Sequence, residues 1–345
     1  MFRHQHQFFG TIKPQINFDP EAVAEILHKA MKGIGCDKEE ILHVLTTINN
    51  EQRQEVALQY KSMYGKDLMD SLKSELHGDF EDVIVALMMT PSVYDVRQLH
   101  QAISGMGTKE KILVEIMCSR TNEEILWIKE KYEEDYGESL EDGVKGDTSG
   151  HFERLLVALL QGNRNESIAV DYRKANQGVV DQAIGGVVKN NITISVHEVK
   201  DAHELEQAGE KQWGTDESTF IKILVTESIP QLRQVLNDYE QIVGHSIEEA
   251  IRNEFSGDIN EGLIALVKNI QNQPGYFAFE LYQAMKGLGT KDKDLIRIIV
   301  SRSEIDLALI KQQYEQSYGR SLIDSIRSEC SGAYRDTLIA IIQGN

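Results

Sequence analysis

The sequence predicts an all-α fold built from four homologous repeats of about five helices each. Three observations support this: glycines and acids recurring in one frame, apolar residues at helical spacing, and glycine and cap residues where helices should end and begin.

Gly35, Gly107, Gly214 and Gly289 each stand in a Gly-x-Gly or Trp-Gly turn, and 40 positions later come Glu75, Asp147, Glu254 and Glu329. A tyrosine lies 25 residues after each of these glycines (Tyr60, Tyr132, Tyr239, Tyr314) and a second glycine 30 after (Gly65, Gly137, Gly244, Gly319). Each acid is followed three residues on by Gly78, Gly150, Gly257 or Gly332. Self-similarity at so many positions of one frame marks an internal repeat. Its units cover approximately 17–89, 90–161, 198–270 and 273–345, after a 1–16 N-terminal tail. Successive frame glycines are 72, 107 and 75 residues apart, so the middle interval has a surplus, and it falls in an extended linker, 162–197.

In the first repeat Val23, Ile26, Leu27 and Ala30 form one apolar stripe, Ile41, Leu42, Val44 and Leu45 a second, and Val83, Ile84, Ala86 and Leu87 another. Gly65 reads as a helix C-terminal glycine and Asp67 as the cap of the next helix, with Ser139, Ser246 and Ser321 in the equivalent place. The five prolines avoid the apolar stripes, and the one strand candidate is Ile192 to Val196. The linker carries turn residues such as Asn163, Gly178, Gly185 and Asn190. It also holds Val179, Val180, Ala183, Ile184, Val187 and Val188, and reads either as a plain connector or as a short docked helix.

A net charge of -19 opposes nucleic-acid binding, which needs clustered Lys and Arg. The same repulsion keeps an anionic membrane away unless a cation stands between the two surfaces. There is no apolar run of about 18 residues and no apolar signal core at the N-terminus, so a cytoplasmic location is expected. Cys36, Cys118 and Cys330 are odd in number and lack Cys-x-x-Cys spacing, which favours reduced thiols over a disulfide framework or zinc site. The acids come one per repeat rather than in a pair, and no Ser-His-Asp or Cys-His arrangement is defined, so an enzyme is not expected.

Calcium is a hard ion that takes about six to eight oxygen ligands, backbone carbonyls included. Glycine accepts positive φ, so a Gly-x-Gly turn can aim several carbonyls to one side. In Met31-Lys32-Gly33-Ile34-Gly35 the carbonyls of Met31, Gly33 and Gly35, with Glu75 as a bidentate ligand, supply about five oxygens. The remaining positions are open to water or a lipid phosphate oxygen. Neither an EF-hand loop nor a P-loop is present.

Met-Lys-Gly-Ile-Gly (31–35), Ser-Gly-Met-Gly-Thr (104–108), Gln-Trp-Gly-Thr-Asp (212–216) and Met-Lys-Gly-Leu-Gly-Thr (285–290), with Gly-Asp-Thr-Ser-Gly at 146–150, resemble annexins. The resemblance spans essentially the whole chain from about residue 17. It implies a slightly curved disc with Ca2+ loops on the convex face that meets acidic phospholipid membranes of phosphatidylserine type. It also implies the ligands: Met31, Gly33, Gly35 and Glu75, then Ile103, Gly105, Gly107 and Asp147, and in the fourth repeat Met285, Gly287, Gly289 and Glu329. The third loop is longer and would offer Gly209, Gln212 and Gly214 with Glu254.

Trp213, at the tip of that third loop, reads either as a membrane contact or as an aromatic plug between helices. Cys36 replaces the threonine of the other repeats (Thr108, Thr215, Thr290) and is expected to weaken a helix cap. The linker is longer than usual for annexins and similar to that of parasitic flatworm members. Asp95, Glu115, Arg120, Arg297 and Arg302 are placed by the resemblance around a hydrophilic centre, lining a channel-like opening or, as preferred, forming a structural ion-pair network.

The expected function is reversible, calcium-dependent peripheral binding to anionic phospholipid membranes. Self-association on membranes, a protein partner for the tail and unconventional export are compatible with the resemblance. The rival reading is a helical-repeat scaffold that binds proteins without calcium-dependent lipid binding.

Overall fold

A computed structural model describes residues 9–33, 35–105, 107–170, 202, 204–208 and 217–345. The first repeat contains α1 (Pro20–Ala30), α2 (Lys38–Thr46), α3 (Asn50–Tyr64), α4 (Leu68–Glu75) and α5 (Gly78–Met88). The second contains α6 (Pro91–Ile103), α7 (Glu110–Ser119), α8 (Asn122–Tyr136), α9 (Leu140–Asp147) and α10 (Gly150–Leu160). In the third, residues 202 and 204–208 are helical, followed by α11 (Glu217–Thr226), α12 (Ile229–Val243), α13 (Ile247–Glu254) and α14 (Asp258–Met285), which runs on into the fourth. The fourth continues with α15 (Asp292–Arg302), α16 (Leu307–Tyr318), α17 (Leu322–Glu329) and α18 (Gly332–Gln343). Among the described residues there is no strand, and the strand candidate at 192–196 lies outside them, as does the linker from residue 171.

The repeated glycines and caps set the helix boundaries. Gly65, Gly137, Gly244 and Gly319 close α3, α8, α12 and α16 in the left-handed conformation, φ 65, 72, 88 and 66°, and each donates its N–H to the carbonyl four residues back. Two residues on, the side chains of Asp67, Ser139, Ser246 and Ser321 accept the N–H of Asp70, Asp142, Glu249 and Asp324, starting the next helix. α14 is two helices end to end: Asn272 breaks it with φ -153° and ψ 87°, two residues ahead of Pro274, which has no N–H to give. Pro274 therefore falls in the first turn of the second helix, at a repeat boundary.

The chain divides into two compact units, Met1–Tyr94 with Pro274–Asn345, and Asp95–Gln273. In the first unit α5 packs on α15 and α18, and α2 on α18, so the first repeat interlocks with the fourth. The core there includes Leu27, Ile41, Leu45, Ile84, Leu338 and Ile341, all fully buried. In the second, α10 packs on α7, α9 and α11, and Leu113, Tyr132, Leu155, Phe220 and Leu263 are fully buried. Each such side chain contributes about 1.5–3 kcal/mol by leaving water.

The described part of the tail is bound into the first unit. The N–H groups of Thr11 and Ile12 donate to the Ser303 carbonyl at 2.7 and 3.0 Å, Thr11 Oγ1 donates to the Ile341 carbonyl at 2.6 Å, and Asn345 N donates to the Thr11 carbonyl at 3.2 Å. A Cβ on Gly344 would overlap the Thr11 carbonyl, so only glycine fits where the chain turns onto the tail.

Candidate calcium site

Three glycine loops share one construction. Each follows a helix, and its base is closed by a hydrogen bond from the second residue after the last glycine to the residue five before it: Asp37 N to the Ala30 carbonyl at 2.8 Å, Lys109 N to Ala102 at 3.0 Å, Lys291 N to Ala284 at 2.9 Å. Gly33 (φ 123°), Gly35 (81°), Gly107 (89°), Gly287 (113°) and Gly289 (84°) occupy the region that side chains rarely adopt. A Cβ at these positions would touch nothing within 4 Å, so glycine is needed for conformation rather than space. Gly105, the counterpart of Gly33 and Gly287, does not share their positive φ.

Among the described residues, none donates a hydrogen bond to the carbonyls of Met31, Gly33, Gly35, Ile103, Gly105, Gly107, Met285, Gly287 or Gly289. Among the described residues these nine oxygens are therefore available as acceptors.

Glu75, Asp147, Glu254 and Glu329 are each the last residue of a helix, α4, α9, α13 and α17. A carboxylate there faces the negative end of the helix dipole, an unfavourable place for an anion unless a cation joins it. Asp147 Oδ2 is buried without a hydrogen-bond partner. Free carbonyls beside one carboxylate are a hard oxygen donor set, and they fit calcium. Among the described residues no three His, Cys, Asp or Glu side chains come together to hold a metal.

The residue after the last glycine has a different role from the one expected. The cap of α2 is Asp37, which accepts the Glu40 N–H, and α7 begins without a side-chain cap, so Cys36 does not weaken a helix cap. Thr108 Oγ1 instead donates to the Asp147 carbonyl at 2.9 Å, and Cys36 Sγ reaches the Glu75 carbonyl at 3.7 Å. In the fourth loop the Thr290 hydroxyl donates to Asp292 Oδ1 at 2.7 Å. Burial, outweighing nearby Lys38 and aided by Glu75, raises the Cys36 thiol above its ordinary pKa, so it stays protonated as a donor at neutral pH.

Gly209, Gln212, Trp213 and Gly214 lie outside the described residues, and Glu254 is exposed at the end of α13. Leu288, between Gly287 and Gly289, is fully exposed. Sequence reasoning missed it, although an apolar residue stands between the glycines of all three loops: Ile34, Met106 and Leu288.

Arg120, Arg297 and Arg302 are buried and paired. Arg120 grips Asp95 through Nε–Oδ2 at 2.6 Å and Nη2–Oδ1 at 2.8 Å. Burial opposes the guanidinium charge, but the Asp95 carboxylate outweighs it and leaves Arg120 above its usual pKa. Arg302 holds Asp306 by Nε and Nη2, both at 2.7 Å, and lies over the Phe277 ring at 4.7 Å, while Arg297 Nη1 reaches Asp294 at 2.9 Å. Glu115 is buried on α7.

Arg53 was also missed. It is fully buried on α3, donating to the Leu45 carbonyl at 2.7 Å, the Leu87 carbonyl at 3.3 Å and Glu304 Oε1 at 3.2 Å. Burial, partly offset by Glu304, lowers its pKa to about 10. The signal was present in the repeat frame, where Ile125, Leu232 and Leu307 fill the same slot.

Fourfold helical repeats with glycine loops and helix-terminal acids define an all-helical repeat protein of the annexin type. The annexin family model matches residues 22–87, 94–159, 200–266 and 276–341. The chain belongs to the annexin family. It is 46% identical to bovine (Bos taurus) annexin A5 over 335 residues, 97% of both chains. Among solved structures it resembles annexin III with a TM-score of 0.88 at 38% identity, covering 97% of each chain. It also resembles calcium-bound annexin (Sm)1 with a TM-score of 0.81 at 32% identity, covering 98% of this chain and 94% of that one. Annexins are known as calcium-dependent phospholipid-binding proteins and are generally not enzymes. No helix among the described residues is long and apolar enough to cross a membrane.

Proposed function

We propose that this annexin binds anionic phospholipid membranes reversibly and peripherally, through Ca2+ held in its glycine loops. The observation that carries this reading is the orphaned Asp147 Oδ2 at a helix terminus, paired with a loop whose carbonyls have no described donors. Met31, Gly33, Gly35 and Glu75 would hold one ion, Ile103, Gly105, Gly107 and Asp147 a second, and Met285, Gly287, Gly289 and Glu329 another. Gly209, Gln212, Gly214 and Glu254 form the third-repeat set.

Bound calcium supplies positive charge that lets a chain of net charge -19 meet an anionic surface, with lipid oxygens completing its shell. The chain's own contribution is to fix the carbonyls by glycine conformation and to present Leu288 and Trp213 to the interface, where apolar and indole side chains gain by leaving water. Asp95 with Arg120 in one unit, and Arg297 and Arg302 with Asp294 and Asp306 in the other, serve as structural ion pairs, because a buried guanidinium held by a carboxylate is already satisfied. Phosphatidylserine is the expected headgroup, and self-association on the membrane and a partner for the N-terminal tail accompany this reading.

Sedimentation with phosphatidylserine vesicles across a calcium series tests it. Binding should appear with calcium, reverse with chelator, and disappear in a variant carrying Glu75→Gln, Asp147→Asn, Glu254→Gln and Glu329→Gln. Equal binding with and without calcium, or none, would favour the protein-binding scaffold.

A further inference from the structure

We propose that the residue following the last glycine of each loop, Cys36 in the first repeat and Thr108 in the second, is a positioning residue that grades how tightly each loop holds calcium. The proposal rests on the calcium reading of these loops.

The last carbonyl of a helix has no donor within that helix. In the second repeat that carbonyl belongs to Asp147, and the Thr108 hydroxyl satisfies it at 2.9 Å. Thr108 adjoins Gly107, whose carbonyl is a candidate ligand, and Asp147 supplies the carboxylate. One hydrogen bond therefore ties together two halves of a site that lie 39 residues apart in the chain. In the first repeat the same tie is made by the Cys36 thiol, a weaker donor at 3.7 Å. In the fourth, Thr290 is diverted to Asp292 Oδ1, at the start of α15.

A loop already tied to its acid has less ordering to do when the ion arrives, and preorganisation of this kind raises affinity. The second site should therefore bind calcium more tightly than the first or fourth. A neutral hydrogen bond contributes about 1 kcal/mol net, so the brace should be worth about fivefold in affinity.

The test isolates single sites. Glu75→Gln, Glu254→Gln and Glu329→Gln together leave only the second site; Asp147→Asn, Glu254→Gln and Glu329→Gln leave only the first. Calcium titration calorimetry on the second-site protein should show Thr108→Val weakening affinity about fivefold, with Thr108→Ser restoring it. On the first-site protein Cys36→Thr should tighten binding by a similar factor. In chelator, amide exchange across 104–109 should be faster in Thr108→Val than in Thr108→Ser, which reads the brace without metal.

A purely structural role would lower the chelated melting temperature and leave per-site affinity unchanged, and that result overturns the proposal. If the single-site parents bind calcium but Thr108→Val and Cys36→Thr shift neither affinity, the positioning role alone fails. If the parents take up no calcium, the reading of the loops fails and this inference falls with it.

Discussion

The first and second repeats run in register, yet they differ at three positions that matter: Cys36 against Thr108, Arg53 against Ile125, and Glu75 against Asp147. What they share is helix-terminating chemistry and local packing. Both α3 and α8 have 15 residues, open with a capping box and close on a left-handed glycine. Each stacks a tyrosine on a histidine of the repeat's first helix, His28–Tyr64 at 3.9 Å and His100–Tyr136 at 3.6 Å. What differs is what each repeat meets. Arg53 reaches across 251 residues to Glu304 in the fourth repeat, whereas Ile125 lies in an apolar cluster beside Gly162. Repetition thus fixes local structure, and departures from it mark where a repeat has been fitted to its neighbour.

Arg53→Ala should break this comparison most strongly. It removes the side-chain donor to the Leu45 carbonyl, leaves the Leu87 carbonyl and Glu304 with Asn50 alone, and opens a cavity, for an expected loss of about 3–5 kcal/mol. Arg53→Leu, which installs the residue found at that slot in the third and fourth repeats, should lose less. Denaturant melts of both variants decide this, and equal losses would show that the guanidinium and its partners, not volume, are what the site requires.

Next in size is the contrast between the acids. Asp147→Asn and Glu75→Gln should each remove about one calcium from the stoichiometry seen by calorimetry and weaken the affected site tenfold or more. Asp147→Asn should also improve stability in chelator slightly, because it relieves an anion at a helix C-terminus. A drop in chelated stability would mean that Asp147 has a structural partner instead.

The alkaline limb offers a third probe. Burial pushes the Tyr132 phenol up to about 12, with Glu138 adding to the shift. Its raised folded value means that its stabilising contribution is whole below its ordinary value of 10.0 and is lost as pH rises towards about 12. Tyr132→Phe should flatten the fall in melting temperature over that window, and an unchanged slope would place the alkaline sensitivity elsewhere.

Much of this molecule was legible in its frame. Gly65, Gly137, Gly244 and Gly319 announce left-handed helix ends, and Asp67, Ser139, Ser246 and Ser321 announce caps, because both depend only on residues a few places apart. The pairing of first with fourth repeat was not legible, since a linear frame says nothing about which unit touches which. Arg53 stood out in the frame as the one charge among Ile125, Leu232 and Leu307, but its partner, Glu304, depends on that same non-local packing. The role of Thr108 was read as capping because Thr before a helix usually caps; its hydroxyl serves the preceding acid's carbonyl instead.

The smallest expected effect separates two caps of the same kind. Asn49 and Thr121 each accept the N–H of the residue three ahead, and that residue, Gln52 or Glu124, answers the cap's own N–H. Removing either side chain should cost about 1 kcal/mol. The surroundings differ, however. Thr121 and Glu124 bond at the surface, whereas Asn49 and Gln52 are buried, and Gln52 also holds the tail by accepting the Gln15 N–H at 2.9 Å and donating to its carbonyl at 3.0 Å. Asn49→Ala should therefore loosen the tail as well as the helix, costing a few tenths of a kcal/mol more than Thr121→Ala and speeding amide exchange at Gln15. Equal melting shifts with an unaltered Gln15 amide would show that the tail is held by the Phe9, Thr11, Ile12 and Lys13 hydrogen bonds rather than by Gln52.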